Sequence, residues 1–180
     1  MVWIVRLAAL LLVAVLVIRV EFGTAPKKDL YFRVAAEDGD AFAQAQLGQH
    51  YLGGPEGEDD LEMAIYWLER AAKQDEPQAL YTLGAMRESG HGFRPDIKAA
   101  FSFYTRAALL NNGPAQEALA RIHAVGLVGP VDNVTSHKWQ ILSQQHGRQM
   151  QPIDFKARFK LSESQIKLAE AEAKKISDNF

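Results

Sequence analysis

The chain has 180 residues, 48% of them hydrophobic, enough to bury a sizeable core in one domain. Its formal charge of −2 supplies no basic surplus of the kind that offsets phosphate, which argues against a nucleic-acid partner. It has no cysteine, which excludes disulfide staples, thiolate metal sites and thiol nucleophiles.

Residues 1–22 are almost uniformly apolar, interrupted only by Arg6, Arg19 and Glu21, and Leu7 to Ile18 is an unbroken apolar run. The run alone is shorter than the roughly 20 residues of a full span, but Arg6 and Arg19 can snorkel and lengthen it. An uncleaved single-pass anchor helix is therefore expected. Cleavage as a secretory signal is the alternative, with Gly23 and Ala25 as small residues but Pro26 following the cut. A third reading places the run as a buried first helix of an incomplete repeat. Basic residues lie on both sides, Arg6 before the run and Arg19, Lys27, Lys28 and Arg33 after it, so charge does not favour an outward domain.

From Thr24, a candidate N-cap with Pro26 in the first turn, the pattern becomes helical, and Gly39 ends it. The stretch from Ala41 to Asn112 is one 36-residue unit written twice. Ala43, Leu47, Gly48, Gly54, Asp60, Ala64, Ala71 and Ala72 recur as Ala79, Leu83, Gly84, Gly90, Asp96, Ala100, Ala107 and Ala108. Such self-similarity is the mark of a stacked-repeat architecture. Each unit predicts a first helix, about 41–52 and then 77–89. A glycine-rich corner follows (Gly53, Gly54, Pro55, Gly57; then Gly90, Gly92, Pro95). Asp60 and Asp96 then cap second helices over about 61–74 and 97–110. Residues 24–39 read as the second half of a repeat that lacks its first half.

Gly48 and Gly84 sit inside helices, where glycine costs about 1 kcal/mol against alanine. With Ala120 at the third equivalent position, they predict a close passage of the paired helix. Leu47, Ala64, Trp67, Ala71 and Ala72 are expected around it, with Leu83, Ala100, Phe103, Ala107 and Ala108 in the next copy.

A third copy begins at Gly113 and keeps Ala115, Leu119, Gly126, Asp132 and Trp139, but Ser136, Ser143 and Gln144 replace alanines and His123 replaces Tyr51. Terminal repeats are expected to be atypical because one face meets solvent or a cap. A polar, basic linker over 148–160 leads to a last helix opened by a capping box, Ser162 and Gln165, with Leu161 and Ile166 as a hydrophobic staple. Its narrow apolar stripe of Ile166, Ala169, Ala173 and Ile176 reads as a capping helix.

The motif of Leu47, Gly48 and Tyr51, a glycine-rich corner, Asp60, Ala64, Trp67 and the Ala71–Ala72 pair resembles the Sel-one-like repeat, a relative of the tetratricopeptide repeat. The resemblance implies an all-α fold, an α/α superhelical solenoid of antiparallel helix pairs, over residues 23–147. Residues 1–22 precede it as the anchor, and 148–180 follow as linker and capping helix. It also implies a scaffold for protein or peptide partners, in the bacterial envelope when a short apolar N-terminus precedes it. Tetratricopeptide-like solenoids line their concave face with the first helix of each repeat. The stripe left after packing residues are removed is Phe42, Ala45, Gln49, Gln78, Tyr81, Ala85, Glu88, Glu117 and Arg121. These are the expected partner-binding residues, with Phe42 and Tyr81 as apolar anchors and Gln49, Glu88 and Arg121 as polar selectors.

No catalytic residues are assigned: no nucleophile, base and orienting group converge in the sequence. His50, His91, His123, His137 and His146 lack metal-ligand spacing. The acidic corner Glu56, Glu58, Asp59, Asp60 and Glu62 lacks the alternating ligands of a calcium loop. The expectation is a non-enzymatic scaffold, without metal or small-molecule cofactor, tethered to the inner membrane with its repeats on the periplasmic side. An enzyme or enzyme accessory subunit acting on envelope substrates, and a secreted or periplasmic protein after signal cleavage, are the competing readings.

Overall fold

The computed structural model describes residues 28–53, 60–145 and 161–180, and the predicted anchor, the Thr24 cap, most of the acidic corner, His146 and the linker lie outside them. The described residues form helices and turns without a strand. The helices are α1 (Lys28–Glu37), α2 (Ala41–Tyr51), α3 (Leu61–Ala72) and α4 (Pro77–Ser89). They continue as α5 (Ile97–Leu109), α6 (Gly113–Val125), α7 (Asn133–Gln145) and α8 (Glu163–Ser177). The tightest packing is within the hairpins α2/α3, α4/α5 and α6/α7, and each hairpin then stacks on its neighbour. Among the described residues α2 also touches α4 directly, whereas α3 and α5 do not meet to that extent. The first helices of the first two hairpins thus meet across the stack.

The repeat is written into the backbone as well as the side chains. Between hairpins the chain turns through one left-handed residue, Gly39 (φ 102°), Asp75 (φ 58°) and Asn111 (φ 66°). Aspartate and asparagine are among the few side chains that tolerate this region. The next residue caps the following first helix: Asp40 accepts from Ala43 N, Glu76 from Ala79 N and Asn112 from Ala115 N. At the corner inside each hairpin, Asp60, Asp96 and Asp132 accept from Met63 N, Ala99 N and Thr135 N. The same three residues donate their amides back to Tyr51, Arg87 and His123. The predicted aspartate caps are therefore present, and the helix ends differ from the sequence expectation by one or two residues.

The close approach at the helical glycines is also real. A Cβ on Gly48 would stand 2.7 Å from Leu68 Cγ, and one on Gly84 would stand 2.7 Å from Tyr104 Cε1. The side chains that fill these notches, Leu68 and Tyr104, are not the ones expected. Trp67 instead packs in an N-terminal cluster with Ala36, Ala43 and Leu47, and Phe103 is only partly buried. The main core runs from Ala45 and Leu68 to Trp139, Leu142 and Ala173.

A second joint ties each hairpin to the one before it, through the last-turn carbonyl of the preceding helix. Gln44 Nε2 donates to Ala36 O at 3.0 Å, Arg106 donates to Ala72 O at 2.9 Å, and Gln116 Nε2 donates to Ala108 O at 3.2 Å. Three side chains from two different positions thus give one recurring carbonyl a second donor, beside the amide of Gly39, Asp75 or Asn111 that it already accepts. Gln74 supports Gln44 by donating to its Oε1 at 2.9 Å, and the next copy replaces this pair with Leu80 and Leu110.

In the third hairpin Ser136 Oγ donates to Ala120 O at 2.8 Å, which accommodates serine where the earlier copies carry alanine. The capping box of α8 is formed, Leu161 is buried, and Ala169 and Ala173 are fully buried. α8 packs on α7, with Lys138 Nζ 3.1 Å from Glu172 Oε2, and so closes the C-terminal end of the described stack.

Candidate functional site: the first-helix face

The first helices α2, α4 and α6 carry all the predicted partner-binding residues, but the structure does not treat them alike. Ala45 is fully buried beside Leu68, so it belongs to the core and not to an accessible surface. Helical spacing misplaced it because α2 buries a wide arc, Ala43, Gln44, Ala45, Leu47 and Gly48, to serve both its own hairpin and the neighbouring helices. Gln49, Gln78, Ala85 and Glu117 are partly exposed, and Arg121 is exposed. Phe42 is 57% exposed at the N-terminal end, where its ring meets Phe32 edge-on with centroids 6.4 Å apart.

The centre of the face is a closed polar cluster. Arg121, on α6, donates from one guanidinium nitrogen to both oxygens of Glu88 on α4, at 2.7 and 2.8 Å. Tyr104, buried beneath them, donates its hydroxyl to the same carboxylate at 2.9 Å. Burial and the neighbouring Glu88 push the Tyr104 hydroxyl well above the ordinary phenolic range, so it stays a donor at any physiological pH. Tyr81 lies on Tyr104 with centroids 5.8 Å apart and packs against the core. Two expected selectors, Glu88 and Arg121, are thus brought together and bound to each other. Both Glu88 oxygens are engaged, while Arg121 keeps further donors in its guanidinium fork. What this centre shows to solvent is chiefly the Arg121 guanidinium and part of its Glu88 partner, with Tyr104 buried beneath and Tyr81 partly buried.

Tyr104 was absent from the sequence expectation, and its position shows why. It lies on a second helix, and only the glycine notch at Gly84 lets its ring reach the first-helix face. A tyrosine where the preceding repeat has Leu68 was the available signal.

Elsewhere, burial holds the His123 and His137 imidazoles below their usual range, and backbone donation from Thr135 holds the Asp132 carboxyl low. His123 meets Phe101 edge-on at 5.6 Å. Among the described residues no group of His, Asp and Glu is arranged to hold a metal ion, and no helix is long and apolar enough to cross a membrane.

Comparison with known proteins identifies the repeat. The family model described as the Sel1 repeat matches residues 41–76 and 77–112, the two central hairpins. A rat protein named DAP3-binding cell death enhancer 1 is 32% identical over 96 residues, 53% of this chain. The chain spans only 18% of that relative's length. A solved structure described as a protective antigen of uropathogenic Escherichia coli strains displaying an SLR fold superposes with TM-score 0.63. It is 36% identical and covers 67% of this chain and 26% of its own. The crystal structure of a Sel1 repeat protein from Oxalobacter formigenes superposes with TM-score 0.61 at 32% identity. It covers 67% of this chain and 90% of its own. With two matched repeats, and a relative matched over nine-tenths of its length, this chain belongs to the Sel1 repeat family.

Proposed function

We propose that this chain is a protein-interaction scaffold that takes a protein or peptide segment along the face of α2, α4 and α6, and that its N-terminal apolar segment holds it at a membrane. The observation that carries the reading is the Glu88–Arg121 pair crossing from α4 to α6, with Tyr104 donating to the same carboxylate and Tyr81 beside the Tyr104 ring. It joins adjacent repeats on a face that keeps several side chains out of the core. Arginine and tyrosine are enriched among the residues that carry interface energetics. Gln49, Gln78 and Glu117 flank that centre with groups suited to the backbone of an extended segment. Membership of a repeat family used for protein contacts supports the same reading.

The proposed setting is the bacterial envelope, with the apolar run of residues 7–18 as an inner-membrane anchor and the repeats on the periplasmic side. Affinity capture with the full chain is expected to return a specific partner that Tyr81→Ala and Arg121→Glu each lose. Retention by both variants would refute the face assignment. A reporter fused after Phe180 that is active only in the periplasm is the expected result for topology, and activity only in the cytoplasm would overturn that part.

A further inference from the structure

The second helix of each hairpin buries one side chain beneath its own first helix, and packing does not require that side chain to be polar. Leu68 fills the position under Gly48, Tyr104 fills it under Gly84, and the 36-residue register puts Gln140 there in the third hairpin. All three are buried. Since leucine packs against the same kind of notch, the Tyr104 hydroxyl is an addition to the repeat. A buried hydroxyl costs free energy unless it is bonded. Its partner is a residue of the first-helix face, Glu88 Oε2 at 2.9 Å. The Gln140 amide has no such partner among the described residues, so the link from the inner layer to the face belongs to the central repeat.

The link starts from a fixed point and ends on a free one. Tyr104 is 2% exposed, its ring edge fills the Gly84 notch, and Tyr81 flanks the ring at 5.8 Å, so the hydroxyl oxygen has a set place. Glu88 is held from below by that hydroxyl and takes Arg121 Nη2 on both oxygens, at 2.7 and 2.8 Å. The Arg121 side chain is 48% exposed, on a long stem. An ion pair that exposed orders itself poorly, because water screens it and two flexible side chains lose rotamer freedom to form it. A hydroxyl bonded to a carboxylate is a short, charge-assisted contact, and it removes the freedom of the carboxylate independently of the arginine.

We propose that Tyr104 is a positioning residue: through Glu88 it fixes the Arg121 guanidinium across the seam between α4 and α6. Nε and Nη1 of Arg121, which bond nothing among the described residues, are then offered in one orientation to an oxygen acceptor of the bound segment. This rests on the first-helix-face reading above. Donors ordered in advance spare the complex an ordering cost on binding. A side chain on a second helix thereby shapes a surface that it does not itself reach.

The test uses the full chain with isotope-labelled arginine, Arg121 being assigned by the magnetic-resonance signals that Arg121→Lys removes. In the unmodified chain rotation about the Arg121 Cζ–Nε bond is expected to be slow, with separate Nη signals. Tyr104→Phe keeps the ring and removes only the hydroxyl, and should speed that rotation several-fold. Tyr104→Leu, the residue of the first hairpin, should do the same while the helical circular dichroism is kept. A hydroxyl with a merely structural role would lower the melting temperature and leave the Arg121 signals as they were, and that result overturns the proposal. The reverse direction needs no change in the core. Because coupling is reciprocal, Arg121→Ala should loosen Glu88 and speed exchange of the Tyr104 hydroxyl proton several-fold. Unchanged exchange overturns the proposal even where the position-104 variants do not fold. The two readings fail separately. Unmoved Arg121 signals in Tyr104→Phe, with capture still lost in Arg121→Glu, sink the positioning and leave the face. Capture retained by both Tyr81→Ala and Arg121→Glu refutes the face, and Arg121 then has no bound segment to be positioned for.

Discussion

Substituting Gly84 with alanine tests the packing on which the first-helix face depends. Within α4 the exchange should gain about 1 kcal/mol from helix propensity alone. Against that, the new Cβ would sit 2.7 and 2.8 Å from two carbons of the Tyr104 ring. The ring has little room to yield, because Tyr104 is 2% exposed and its hydroxyl is held by Glu88. Overpacking of this kind costs about 1–3 kcal/mol, and a pinned ring belongs near the upper end, so the net loss expected is about 1–2 kcal/mol. For a chain of this length that lowers the melting temperature by about 3–6 °C, read by far-UV circular dichroism with urea unfolding as a second measure. Combining Gly84→Ala with Tyr104→Val should cost less than the sum of the two single changes, because the valine frees the space the alanine needs. A neutral or stabilising Gly84→Ala would refute the reasoning, since it would mean that propensity acts there unopposed.

Replacing Gln44 with leucine removes one donor to Ala36 O, which still accepts from Gly39 N, and one acceptor of Gln74, which still donates to Gly39 O, and should destabilise by about 1 kcal/mol in urea titrations. Adding Gln74→Leu, which recreates the Leu80 and Leu110 combination of the next repeat, should recover part of that loss. Removing the α8 cap with Ser162→Ala should cost about 1 kcal/mol and raise amide exchange in the first turn of α8 without disturbing α4 or α5. His123 and His137 are held below their ordinary range in the folded state, so the unfolded chain takes up protons first as pH falls. Stability should therefore be constant above about pH 6.5 and decline on acidification through that value, and His137→Gln should flatten the decline in melts collected across it. Arg121→Ala, which removes a half-exposed ion pair, should lower stability by less than about 1 kcal/mol while weakening partner capture, separating its binding role from folding.

Much of this architecture can be read from residue spacing, because the forces that make it are local. Asp60 and Asp96 cap helices through their own next turn, and the capping box at Ser162 and Gln165 closes within four residues. Gly48 and Gly84 announce a close contact because glycine has no other use inside a helix. What spacing cannot supply is the identity of the opposing atoms. Leu68 and Tyr104 meet those glycines, and Gln44, Arg106 and Gln116 reach carbonyls of a preceding helix, because hairpins stack with a rotation that no single helix records. Ala45 failed as a surface residue for the same reason, since it is covered from a direction set by neighbouring helices. Glu88 and Arg121 were read as independent selectors, yet they lie in consecutive repeats and meet only after stacking.

The turn between hairpins carries one further consequence. Gly39–Asp40, Asp75–Glu76 and Asn111–Asn112 are chemically different pairs that make the same bend and the same cap. Each pair is therefore an interchangeable coupling, and a chain from which residues 77–112 were excised would still present Asp75 and Glu76 at the start of α6. Genetic gain or loss of a whole unit leaves such a coupling intact, so the reach of the superhelix can change in single steps of 36 residues while its cross-section stays the same.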